Sequence, residues 1–294
     1  YEEDKQSGLM AILKTIFPDP LVLASYLEAL STGLYGEQIE KFFICVGQGG
    51  NGKSLINGLM LMMVGDYGYK VASSLFVNEM KDGPNPGVAN LHNKKFILAQ
   101  EPDAGKKINA STMKELTGDK TLNARDLHSS DCKKKLLNSP FMGTNILPDI
   151  EANEATLRRI MVYPFGSSFV SQVEYDNMED QTHAFIGNTH YKTETFQHEF
   201  KQALFCILLP SFIIFMKNGF QMSAMPSACV LAGEAYLMKS DKFLPFFNDH
   251  YEKNDAEIIY ISDLYEHYKE DALKLLSKND QRKCTKNNFC NDVK

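Results

Sequence analysis

The sequence predicts an α/β fold: a largely parallel sheet with helices on both faces. Two observations carry this expectation. Apolar runs of strand length alternate with stretches whose apolar residues recur at helical spacing. One such run, Phe42-Phe43-Ile44-Cys45-Val46, leads into a glycine-rich loop and then into an apolar helix. Strands joined by helical crossovers lie parallel, and the crossovers cover both faces of the sheet. The chain has 294 residues, 44% hydrophobic and 23% charged, which suffices for a substantial core.

The elements follow in order. Residues 8–34 read as helix with a break at Pro18-Asp19-Pro20, and Leu21, Leu23, Tyr26, Leu27 and Leu30 form its apolar repeat. Gly33 and Gly36 flank its end. After strand 42–46 and the loop, a helix runs from Ser54 to about Val64, and Gly65-Asp66-Tyr67-Gly68 ends it. Residues 81–87 are a Gly/Pro loop. Lys95-Phe96-Ile97-Leu98-Ala99-Gln100 is a second strand, ending at Glu101-Pro102. A helix spans Ala110 to Leu116. Residues 121–138 read as two short strands around a polar tip. Ser139-Pro140-Phe141-Met142-Gly143-Thr144-Asn145 is a third core strand, and Leu157 to Phe165 leads into a mostly helical remainder. The most apolar stretch, Ala203 to Met216, is broken by Pro210-Ser211. It is shorter than the ~18 residues of a membrane span, so it reads as a buried, kinked helix.

The net charge of −6 excludes a surface that attracts nucleic acid by overall charge; any such contact needs a local basic patch. Cys45, Cys132, Cys206, Cys229, Cys284 and Cys290 are scattered, with no CxxC pair. They read as free thiols in a reducing compartment, not as a zinc site. The N-terminus shows neither a signal-peptide layout nor an initiator Met, so the chain reads as a piece of a longer one.

The loop Gly47-Gln48-Gly49-Gly50-Asn51-Gly52-Lys53-Ser54 fits G-x-x-x-x-G-K-[ST] at every fixed position. Glycines let the backbone turn its N–H groups toward phosphates, a lysine reaches the β- and γ-phosphates, and the serine hydroxyl coordinates Mg²⁺. Helix N-termini add a favourable field for anions. Gly47, Gly49, Gly50, Asn51, Gly52, Lys53 and Ser54 are therefore the expected nucleotide-binding residues, with ATP and Mg²⁺ as cofactors.

Glu101 ends the second strand, where an acid holds Mg²⁺ or polarises the attacking water. It is the expected catalytic carboxylate and metal-shell residue, with Asp103 a weaker candidate for the metal. Gln100 stands where a second acid would complete a pair. Asn145 ends the third strand; an amide there bonds the γ-phosphate or its attacking water, though a turn-forming Asn has the same spelling. Arg158 and Arg159 fit a pair that neutralises a neighbour's transferring phosphoryl group, or plain surface ion pairs. Lys120, Arg125, His128, Lys133, Lys134 and Lys135 form a basic cluster across the two short strands. It suits either backbone phosphates of DNA or solvent.

Five segments in order resemble the superfamily 3 helicase domain of poxvirus- and asfarvirus-type viral primase-helicases. They are residues 47–54; Lys94 to Pro102; Met113 to Asp119 with Ala124-Arg125-Asp126-Leu127-His128; Gly143 to Pro148; and Leu157-Arg158-Arg159-Ile160. The likeness runs from about residue 8 to about residue 270. It implies an AAA+-like P-loop ATPase core, a homo-hexameric ring and ATP-driven translocation on single-stranded DNA during viral replication. It further implies a DNA-contacting hairpin at 120–136, a trans-acting arginine at 158 or 159, a primase region N-terminal to this piece, and other replication proteins as partners. A soluble location in the host cytoplasm, with no membrane partner, goes with it. The domains it implies are a helical collar at 1–35, the ATPase core at 36–170, its helical part at 171–240, and the start of a winged-helix-like module at 241–294. Lys278, Arg282, Lys283 and Lys286 make that last part basic, or simply solvated.

Two readings compete. A nucleotide kinase needs a lid with several arginines, and this chain has only Arg125, Arg158, Arg159 and Arg282. A ring-forming scaffold would bind nucleotide without depending on Glu101.

Overall fold

The computed structural model describes residues 2–79, 86–99, 101–102, 106–118, 121–124, 132–137, 139–150, 156, 158–240, 244–252, 254, 258–271, 274, 281 and 284–292. The chain divides into two compact units, Tyr1–Leu237 and Met238–Lys294.

The first unit is built on a five-stranded sheet. Its strands are β1 (Phe42–Val46), β2 (Gly68–Val71), β3 (Phe96–Ala99), β7 (Ser139–Thr144) and β9 (Ile160–Pro164), in spatial order β2-β3-β7-β1-β9. Every pairing is parallel. Side chains alternate across the sheet because a strand repeats every two residues. Phe43 and Cys45 therefore face one core, while Phe42 and Ile44 face the other. Register carries this into packing: Phe43 pairs with Phe141, and their rings stack at 4.5 Å.

The Phe43 face is covered by α1 (Glu2–Ile16), α2 (Pro20–Ser31), α3 (Lys53–Val64) and α8 (Glu194–Lys217). The break between α1 and α2 has a local cause. Pro20 occupies the first turn of α2, and the Asp19 carboxylate accepts from Leu21 N–H at 2.8 Å, capping the helix. The Phe42 face is covered by α4 (Ser74–Val77), α6 (Ala110–Gly118) and α9 (Ser227–Ser240), through Phe76, Met113, Leu116 and Tyr236. The predicted α/β fold with helices on both faces is thus the observed one. Smaller elements complete the unit: α5 (Pro86–Ala89), the parallel pairs β4 (Lys107–Ile108) with β8 (Asp149–Ile150) and β10 (Ser168–Val170) with β11 (Ala184–Ile186), and α7 (Gln172–Asp176).

Two expectations need correction. Residues 157–165 hold β9, the edge strand of the main sheet beside β1, not merely a lead into helices. Met161, Val162 and Tyr163 are buried, alternately in the two cores, and Ile160 is half-buried, so the run shows no polar alternation to read. The apolar stretch 203–216 is the C-terminal part of a longer helix. By length and composition α8 could cross a membrane; here it packs on α1, α2 and α3. Leu204, Leu208 and Phe215 are buried, whereas Phe205, Leu209, Ile213, Ile214 and Met216 are exposed. The expected burial holds for one side only.

β5 (Thr121–Ala124) and β6 (Cys132–Lys135) form the expected antiparallel hairpin, from Thr121 opposite Lys135 to Ala124 opposite Cys132. Lys133, Lys134 and Lys135 lie on β6. Lys120, Arg125 and His128 lie outside the described residues, as do Gln100 and Asp103.

The second unit holds α10 (Leu244–His250), α11 (Ile261–Asp271) and α12 (Lys286–Asp292) around Phe246, Leu264, Tyr268 and Phe289. Strands of a wing are not among its described residues. Of the cysteines, Cys45 and Cys229 are buried free thiols, and Cys206 and Cys290 are half-buried free thiols.

Candidate nucleotide site

The loop between β1 and α3 is shaped by contacts from three directions. Gly52 caps α3 at φ +90, a region that side chains disfavour, and a Cβ there would lie 2.7 Å from Ile16 Cδ1 of α1. A Cβ on Gly47 would fall on the Phe165 carbonyl oxygen and the Asn51 amide nitrogen. Gly47 N–H donates to the Thr144 carbonyl at 3.2 Å. On the β9 side, Phe165 N–H donates to Val46 O, and Phe169 N–H donates to Gly50 O, each at 2.7 Å. This backing from residues 165–169 was missed in the sequence, because nothing local marks it.

The loop meets the requirements of a phosphate cradle. Gly50 and Gly52 have positive φ, and the first turn of α3 presents its N–H groups at the loop's end. Asn51 is buried, and its Nδ2 donor has no partner among the described residues, a group suited to an anionic oxygen. Ser54 is exposed on that first turn. Lys53 Nζ donates to the Gly47 carbonyl and, at 3.4 Å, to Asn145 Oδ1.

Glu101 and Asn145 arrive from neighbouring strand ends. β3 and β7 are adjacent and parallel, so their C-terminal ends share one edge of the sheet with the end of β1. Asn145 N–H donates to Glu101 Oε1 at 2.7 Å, and Asn145 Nδ2 donates to Oε2 at 3.2 Å. The Thr144 hydroxyl is 3.3 Å from Oε1. Lys53, Asn145 and Glu101 thus form one continuous polar array beside the loop. Burial lowers the Lys53 ammonium below the usual lysine range, and the Glu101 carboxylate opposes that shift. The array can hold a phosphate chain at Lys53 and orient a water at Glu101.

The arginines lie at the other edge. β9 runs parallel to β1, so Arg158 and Arg159 sit at the strands' N-terminal ends, where Phe42 N–H donates to Arg159 O at 2.8 Å. Glu40 Oε2 is 3.3 Å from Nη2 of both arginines. Their exposures differ: the Arg158 side chain is 62% exposed and that of Arg159 is 9% exposed. Lys41 Nζ donates to Arg158 O at 2.7 Å. Burial, then the Arg158 charge, lowers its ammonium below the usual range. Glu40, Lys41 and Arg158 border a cleft of about 640 Å³, which Met161, Phe220, Met222 and Met225 also line. Within one chain, the structure brings together residues 47–54, Glu101 and Asn145, and leaves Arg158 and Arg159 apart from them.

No family model matches the chain. Among curated proteins it is 30% identical over 282 residues to "Putative helicase L207/L206" of Acanthamoeba polyphaga mimivirus, covering 92% of this chain and 29% of that protein. It is 29% identical over 171 residues to "Putative helicase 022R" of Frog virus 3, covering 55% of this chain and 18% of that protein. It is 26% identical over 179 residues to "Primase D5" of Fowlpox virus, covering 58% of this chain and 22% of that protein. The chain therefore spans less than a third of the length of these relatives. Among solved structures, the apo C-terminal region of NrS-1 aligns over 98% of this chain and 63% of that one, with TM-score 0.58 and 14% identity. A second form of that region aligns over 95% of this chain and 60% of that one, with TM-score 0.54 and 12% identity. These likenesses show a shared fold. The relatives by sequence are viral proteins named as helicases and a primase.

Proposed function

We propose that this chain is the ATPase core of a superfamily 3 helicase of the poxvirus and asfarvirus type, working as a homo-hexameric ring on single-stranded DNA. The observation that supports it most is the array Lys53–Asn145–Glu101 at one edge of the parallel sheet, beside the glycine loop. A bound Mg²⁺–ATP supplies the phosphoanhydride to be cleaved and an ion that neutralises its charge. Every other task falls to this chain. The loop N–H groups and the Asn51 amide would hold phosphate oxygens, Lys53 would bind the terminal phosphates, and the Ser54 hydroxyl would hold the metal. Glu101 accepts a proton from the attacking water while Asn145 fixes the carboxylate and the water's line of approach.

Among the described residues, no arginine stands beside this array. Arg158 and Arg159 stand at the opposite edge of the sheet, so on this reading one of them acts on a neighbour's phosphates. A subunit with its site at one edge and the complementary arginine at the other suits head-to-tail contacts, which close into rings. The hairpin β5–β6, with Lys133, Lys134 and Lys135, is the proposed DNA contact together with Lys120, Arg125 and His128. The proposed division is a collar at 1–35, the core at 36–170, its helical part at 171–240 and a winged-helix-like module from 241. The proposed setting is viral replication in the host cytoplasm.

The test is ATP hydrolysis with and without single-stranded DNA, alongside native mass measurement with an ATP analogue. A hexamer whose turnover DNA stimulates is expected, and Lys53→Ala is expected to abolish that turnover. A confirmed hexamer whose rate ignores saturating DNA would overturn the translocase reading. DNA-dependent assembly without hydrolysis would favour the scaffold.

A further inference from the structure

Arg158 and Arg159 are adjacent in sequence yet occupy different environments. The Arg159 side chain is 9% exposed and lies between Glu40 and the end of α6, where a Cβ on Gly118 would come within 3.3 Å of its Nη2. The Arg158 side chain is 62% exposed at the border of the cleft. One carboxylate oxygen, Glu40 Oε2, serves both guanidinium groups at 3.3 Å. Glu40 itself has φ +54, left-handed backbone that a non-glycine residue adopts only when its surroundings enforce it. The main chain beneath the arginines is fastened at two points, Lys41 Nζ to Arg158 O and Phe42 N–H to Arg159 O.

Resting on the reading that one arginine acts on a neighbour's nucleotide, we infer that Arg158 is that arginine, that Glu40 is its positioning residue, and that Arg159 is the buried anchor for Glu40. The two ion pairs differ in kind. The Glu40 carboxylate is half exposed but the Arg159 guanidinium is buried, so losing this contact would leave a buried charge poorly compensated, which favours keeping Glu40 in place. An exposed pair is weak and exchanges readily with a better partner. A phosphate chain is such a partner, because it accepts the planar guanidinium fork at two oxygens. With the backbone at 158–159 fastened, the Arg158 side chain is the part left to move. Glu40 holds it, extended and oriented, until a neighbour's terminal phosphate takes it over. The ligand class recognised by Arg158 is therefore a nucleoside triphosphate carried by a second copy of this chain.

The experiment compares Arg158→Ala, Arg159→Ala, Arg159→Lys, Glu40→Gln and the Glu40→Gln/Arg158→Ala double variant in the assembled protein, with DNA present. Arg158→Ala is expected to lower turnover roughly 10³-fold. Glu40→Gln is expected to lower kcat on the order of 10- to 100-fold with KM for ATP unchanged, the signature of a misplaced group. In the Arg158→Ala background, Glu40→Gln should have no further effect on kcat. An equal loss in both backgrounds would overturn the positioning role, since a merely structural residue acts with or without Arg158. Thermal unfolding reads the anchor independently of activity: Arg159→Ala should lower Tm by several degrees, Arg159→Lys by less, and Arg158→Ala not at all. The reverse ranking would overturn the assignment. If Arg158→Ala and Arg159→Ala both left turnover intact while Lys53→Ala abolished it, the trans-arginine reading would fall, with the nucleotide site standing.

Discussion

Asn145 grips Glu101 twice, through its backbone N–H at 2.7 Å to one carboxylate oxygen and through its side-chain amide at 3.2 Å to the other. An exposed carboxylate at a strand end is ordinarily free to rotate, and two donors from one residue remove that freedom. The same amide accepts from Lys53 on its oxygen side at 3.4 Å. Asn145 is thereby the joint between the group that would hold phosphate and the group that would activate water.

Replacing Glu101 by Gln keeps the shape and removes the proton acceptor. Turnover is expected to fall by at least about 10²-fold while nucleotide affinity is preserved. Steady-state hydrolysis and titration with a fluorescent ATP analogue measure the two separately. Hydrolysis at the parental rate would remove Glu101 from the chemistry.

Asn145→Ala removes the side-chain half of the joint, the contacts to Glu101 Oε2 and Lys53, and keeps the backbone N–H bond; it spares the core because the residue is exposed. We expect kcat to drop on the order of 10²-fold and Tm to stay within about 1 °C of the parent. A large fall in Tm would reassign Asn145 to structure.

Gly52→Ala forces a side chain into φ +90 and against Ile16. The backbone strain costs about 1–3 kcal/mol, and the clash adds to it. Thermal unfolding should show a clearly lower Tm. Ile16 is buried, so Ile16→Ala destabilises by itself; it should cost less in the Gly52→Ala background than in the parent, because there it also removes the clash.

Lys133, Lys134 and Lys135 are tested together. If they neutralise DNA phosphates, their replacement by Ala should weaken single-strand binding regardless of sequence. It should also flatten the slope of log K against log salt by about 2, near 0.7 per phosphate contact. An unchanged slope would assign the lysines to solvent.

Cys45 predicts a pH dependence. Burial pushes its thiol up to about 12. In the unfolded chain a thiol ionises near about 8.5. Between those values the unfolded state binds fewer protons than the folded one, so stability is full below about 8.5 and falls as pH rises toward 12. Tyr26 and Tyr163, also raised first by burial, steepen the loss at the top of that range. Unfolding curves for Cys45→Ala should show a shallower alkaline decline than the parent, offset by a constant cavity cost.

The parts of the site legible in the sequence were those written locally. A glycine loop between an apolar strand and an apolar helix carries its own signature, as does an acid or an amide closing an apolar run. The hairpin was legible because turn and charge break two short strands. β9 was not, since a strand buried on both faces loses its alternation and Ile160-Met161-Val162-Tyr163 spells helix equally well. Neither the 165–169 backing of the loop nor the Glu40 contact has a local trace, because each joins residues more than 100 positions apart. For the same reason two adjacent arginines look interchangeable until burial separates them. In α8 the composition revealed an apolar helix but not which of its sides lacks a cover.

β7 begins four residues after the hairpin's last lysine, Lys135, and ends one residue before Asn145. Parallel ladders hold it between β3 and β1. It is in effect a pushrod about 20 Å long, with the hairpin at one end and the Glu101 joint at the other. If the proposed hydrolysis occurs there, this strand is the direct covalent link from Asn145 to the hairpin. On the proposed reading, the nucleotide site and the DNA-contacting hairpin would be mounted on the same six residues.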